Sequence, residues 1–80
     1  MSTQEMQEKV RARISPEWDG FYAEEVKDWP EEGPYVRFVA RLHGHKFVVV
    51  MFPGRLQPGD DGIESVVAKF TEGLRTGRLV

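Results

Sequence analysis

Between Tyr35 and Phe52 the chain reads YVRFVARLHGHKFVVVMF, and its apolar positions alternate. Val36, Phe38, Ala40 and Leu42 fall on one parity, Tyr35, Arg37, Val39 and Arg41 on the other. A period of two marks a strand with one buried face. Lys46 to Phe52 is β-branched and aromatic with no polar residue after Lys46, a composition that packs well on a pleated surface. The intervening His43-Gly44-His45 predicts a tight turn and makes the segment a β-hairpin. With Gly44 in the first central position, a type II′ turn pairs Leu42 with Phe47, Ala40 with Val49 and Phe38 with Met51. The rival type I′ turn on His43-Gly44 sets Arg41 opposite Lys46, and like charges so placed repel, which favours the first register. Either way Phe47, Val49 and Met51 share the core face with Phe38 and Leu42.

Helical periodicity lies on both sides of the hairpin. Gln4 to Ile14 is rich in good helix formers, with Met6, Val10 and Ile14 as a narrow apolar stripe. Residues 1–3 precede it and are expected to fray. Ser15-Pro16 stops the helix, because a residue before proline is pushed out of the α region. From Gly62 to Thr76, Ile63, Val66, Val67, Phe70 and Leu74 follow the helical spacing. Asp61 is the expected N-cap with Glu64 as its capping-box partner, and Gly77 the expected left-handed C-terminal residue. Residues 53–62 form a long loop with two proline-glycine breaks.

Residues 16–29 admit two readings. A turn at Trp18-Asp19-Gly20 makes Phe21 to Asp28 a third strand. Ser15 as a cap followed by Pro16 instead makes a helix with a stripe of Trp18, Tyr22, Val26 and Trp29. A three-stranded platform is more stable than a lone hairpin, which favours the strand. The expected fold is a single small α+β domain over residues 1–80, with an antiparallel three-stranded sheet in the order α-β-β-β-α and helices packed on one face. The alternative order is α-α-β-β-α.

This order, with Gly33-Pro34 between the first two strands, resembles that of double-stranded-RNA-binding domains. That family grips phosphates with lysines at the start of its last helix. Here that position reads Asp60-Asp61-Gly62-Ile63-Glu64, which repels phosphate, so no binding residue carries over.

Charge changes the picture. The net charge of −2 gives no bulk attraction to nucleic acid or acidic lipid. Its distribution is uneven: residues 1–34 hold four Lys/Arg and nine Asp/Glu, residues 35–59 four Lys/Arg and no acid. The hairpin is thus a basic segment in an acidic wrapper. Arg37, Arg41, Lys46 and Arg55, interleaved with Tyr35 and Phe52, form the candidate nucleic-acid platform. Cysteine is absent, so disulfides and thiolate chemistry are excluded, and a cytoplasmic location is expected. No signal-peptide core or membrane-length apolar run is present.

Catalytic chemistry finds little support. His43 and His45 lack further ligands nearby and read as solvated turn residues. Ser15 and Ser65 fall at a helix boundary and on a helix surface, without a base and an orienting acid. Glu24-Glu25, Glu31-Glu32 and Asp60-Asp61 read as solvated pairs. Trp18 and Trp29 read as core or rim packing. No enzyme activity, cofactor or metal is expected. What stands out is the second face of the hairpin, which carries Tyr35, Arg37, Val39, Arg41, Val48, Val50 and Phe52. A face meant for water alone is normally polar, so either a helix covers this one or a partner does. The expected function is a small protein-binding module, an adaptor, inhibitor or subunit, using this face or the hairpin edge, with self-association as its simplest form.

Overall fold

Three antiparallel strands carry the domain, and two helices close one face of them. The structure, a computed structural model, describes residues 2–27 and 33–76. The elements follow as α1 (Thr3–Arg13), β1 (Gly20–Val26), β2 (Tyr35–Leu42), β3 (His45–Met51), a 3-10 turn (Pro53–Arg55) and α2 (Ile63–Thr76). The expected α-β-β-β-α order holds, with β2 at the centre of the sheet. Residues 16–29 take the strand reading as far as Val26. Asp28, Trp29 and the expected C-terminal cap Gly77 lie outside the described residues.

α1 begins one residue earlier than its composition suggests. The Ser2 hydroxyl accepts from the Glu5 amide at 3.1 Å while the Glu5 carboxylate faces the Ser2 amide, a reciprocal cap that satisfies two helix-end donors. Its stripe of Met6, Val10 and Ile14 packs inward, and Val10 and Ile14 are buried.

The hairpin register departs from the expected one. Leu42 pairs with His45, Ala40 with Phe47 and Phe38 with Val49. The turn is His43-Gly44 with φ of 51° and 80°, the double left-handed geometry of a type I′ turn, whose twist matches that of the strands. Arg41 does face Lys46, but both are exposed at the tip of the hairpin, where solvent screens them. Asp19 adds a local anion: its carboxylate accepts from the His43 amide at 3.2 Å, and its own amide donates to the Arg41 carbonyl at 2.7 Å. The register shift is two residues, so every side chain keeps its face.

The core lies between the sheet and the helices. Val36, Phe38, Ala40, Leu42, Val49 and Met51 meet Val10 and Ile14 of α1 and Ile63, Val66 and Phe70 of α2. Trp18, from the link between α1 and β1, is buried there too, stacked on Phe47 at 5.8 Å and edge-on to Phe70 at 5.6 Å. Gly73 of α2 faces the Phe47 ring so closely that a Cβ would lie 2.6 Å from it. A glycine inside a helix therefore sets the helix–strand distance.

The start of α2 also differs from expectation. Gly62 precedes the helix with φ of 76°, and a Cβ there would meet the Met51 side chain at 3.1 Å. Asp61 accepts from the Ile63 amide at 3.0 Å and Asp60 from the Gly62 amide at 2.8 Å. Two adjacent carboxylates thus share the capping. Glu64 is not the capping-box partner: it forms an ion pair with Arg13, tying α2 to α1. The hydrogen bond from Arg13 holds the Glu64 carboxyl below its ordinary range. Asp61→Ala is expected to cost about 1 kcal/mol in urea unfolding, and Asp60→Ala a comparable amount, because each leaves one amide without its acceptor.

Candidate functional site

Among the described residues, no helix lies on the outer face of the sheet. Strand register orders it into rows running across β1, β2 and β3. Gly20, Arg41 and Lys46 form the row at the hairpin tip. Tyr22, Val39 and Val48 form the next, then Glu24, Arg37 and Val50. Val26 faces Tyr35 at the far end, where Tyr35 meets Phe52 with ring centroids 5.4 Å apart. The expected residues Tyr35, Arg37, Val39, Arg41, Val48, Val50 and Phe52 therefore do share one face.

Their exposure is unequal. Val39, expected in the open patch, is only 2 % exposed. It sits between Tyr22 and Val48 on the central strand. The open apolar surface belongs instead to Tyr22, 44 % exposed, and Val50, 37 % exposed, with Val26 and Val48 half-buried beside them. Tyr22, Glu24 and Val26 were not legible as members of this face while residues 16–29 kept a helical alternative. The signal was the parity of Tyr22, Glu24 and Val26 against Phe21, Ala23 and Glu25.

The four basic residues do not gather. Arg37 pairs with Glu24 across the strands, and its Nε is shut off from solvent without a hydrogen-bond partner, so its stem lies against the sheet face. Arg41 and Lys46 occupy the hairpin tip. The Arg55 guanidinium lies over the Phe52 ring at 5.0 Å, at the other end of the strands. Arg41 lies six positions along β2 from Tyr35, about 20 Å of extended chain. The surface is a half-apolar, half-neutralised face with Arg41 and Lys46 at one end and Arg55 at the other.

On the edge of the sheet, β3 and α2 leave a groove of about 440 Å³, floored by Phe47 and Gly73 and bordered by Val48, Val50, Lys69 and Glu72. Catalytic groups do not converge here or elsewhere among the described residues. His43 and His45 are exposed at the turn, the Ser15 hydroxyl accepts from the Glu17 amide at 3.2 Å as a local turn does, and no cluster of metal-ligating side chains occurs among the described residues. Among these residues no helix is long and apolar enough to cross a membrane. Comparison with family models, curated proteins and solved structures finds no match to this chain.

Proposed function

We propose that the chain is a non-catalytic protein-binding module, an adaptor, inhibitor or subunit, that docks its partner on the outer face of the sheet. One observation carries this reading: Tyr22 and Val50 stand exposed beside half-buried Val26 and Val48 on a sheet face that neither helix covers. Exposed apolar surface gains roughly 25 cal/mol per Å² when a partner removes it from water. Tyrosine and arginine, here Tyr22 on β1 and Arg37 on the central strand, are residue types that anchor protein interfaces. Glu24 and Arg37 supply one paired charge of each sign, which orients a partner without attracting polyanions in bulk. The cysteine-free composition is suited to a reducing cytoplasm, where we place the module.

Affinity capture from the native host tests the reading, with the wild-type chain and Tyr22→Glu as baits. A carboxylate at an exposed position costs little stability, so the variant should keep its circular dichroism spectrum and lose the partner. Val50→Glu should do the same from the opposite edge strand. Partners retained by both folded variants contradict docking on this face.

A further inference from the structure

We propose that the free edge of β3 pairs with β3 of a second copy across a two-fold axis, joining two three-stranded sheets into one. This deepens the protein-binding reading by naming one partner and placing it at the border of the same face.

The two edges of the sheet are treated differently. Leu42 and His45 flank a two-residue turn, and such a pair exchanges both of its main-chain hydrogen bonds. Counting by twos, Phe47, Val49 and Met51 bond to β2, while Lys46, Val48 and Val50 turn their N–H and C=O groups outward. The same parity in β1 turns Phe21, Ala23 and Glu25 outward, and there α1 intervenes: the Gln7 side-chain oxygen accepts from the Ala23 amide at 2.9 Å. Among the described residues, no group makes an equivalent bond to Lys46, Val48 or Val50. After Lys46 this open edge runs Phe47-Val48-Val49-Val50-Met51 without a charge. Unprotected apolar edges are templates for another strand.

The chemistry selects a copy of the chain itself. An antiparallel pairing with Val48 opposite its own copy sets Lys46 opposite Val50, so every outward main-chain group on these three residues finds a partner. Moving the axis to Lys46 places two ammonium groups in direct opposition, which is unfavourable. α2 adds a second match. Gly62 packs on Met51 and Gly73 on Phe47, so α2 runs antiparallel to β3, with the turn from Lys69 to Glu72 level with Val48. Both side chains border the groove beside β3. A two-fold through Val48 therefore brings Lys69 of each copy to Glu72 of the other. Opposite charges symmetric about the strand's own pairing axis are what an isologous interface requires.

Sedimentation of the purified full chain tests this, with five samples beside the wild type, which should sediment as a dimer. Val48→Pro removes an outward donor that the sheet ladder does not use, a position where edge strands accept proline. It should keep the native circular dichroism and become monomeric. Lys69→Glu and Glu72→Lys, each alone, should weaken the dimer about tenfold or more, and their equimolar mixture should restore it. Tyr22→Glu, on the far strand, should leave the dimer intact. A monomeric wild type overturns the edge pairing, as does a dimer that the charge changes leave unaffected. Should Val48→Pro unfold, the charge-exchange mixture decides alone. Loss of the dimer in Tyr22→Glu, with the charge variants still dimeric, overturns the edge pairing while leaving the outer-face reading in place.

Discussion

Phe70→Ala is expected to remove a large share of the stability of the domain. The Phe70 ring is fully buried and meets three aromatic rings edge-on: Trp18 at 5.6 Å, Phe21 at 5.7 Å and Phe47 at 5.4 Å. These rings come from the inter-element link, β1 and β3, so one side chain of α2 joins most of the fold. Truncating a buried phenylalanine costs about 3–5 kcal/mol, the lost burial plus the cavity left behind. A domain of this size has a total stability of about 4–12 kcal/mol. With a urea dependence near 1 kcal/mol per M, the midpoint should fall by about 3–5 M. An unchanged midpoint means that α2 does not pack on the sheet.

Trp18→Ala is expected to follow closely, at about 3–5 kcal/mol. Trp18 lies outside every helix and strand, yet it is 1 % exposed and stacks on Phe47 with an interplanar angle of 22°. Its backbone is fixed as well: its amide donates to the Ser15 carbonyl at 3.4 Å and its carbonyl accepts from Arg11 at 3.3 Å. The indole Nε1 is buried without a hydrogen-bond partner, a cost that the native fold carries. Trp18→Phe should therefore be much milder than Trp18→Ala, since it keeps the aromatic contact and discards the unpartnered N–H. Thermal melts of the two variants check this, and equal losses would show that the aromatic stack contributes nothing.

The hairpin and α2 were legible because their patterns are local. Alternation from Val36 to Leu42 and the helical spacing from Ile63 to Leu74 each report a buried face without reference to the rest of the chain. The faces of β3 survived a register error of two residues for the same reason: strand parity is unchanged by an even shift. What escaped the sequence depends on residues distant in the chain. Repulsion between Arg41 and Lys46 argued against the true turn until Asp19, far upstream, placed its carboxylate on the His43 amide. Glu64 read as a local capping residue until Arg13 arrived from the other helix. Val39 read as an open member of the outer face, and it is buried on the central strand between Tyr22 of β1 and Val48 of β3. Gly73 gave a local hint, a glycine inside a strong helix, but its reason is the Phe47 ring on β3.

The outer face is most directly tested by chemical modification of its tyrosines. Only Tyr22 and Tyr35 occur in the chain. Tyr22 stands on the open patch, 44 % exposed, while Tyr35 is half-buried against Phe52. Nitration of the free chain, read by mass spectrometry, should modify Tyr22 ahead of Tyr35. In the complex captured from the native host, Tyr22 should be protected. Equal modification of Tyr22 in the free chain and in the complex would contradict docking on the outer face.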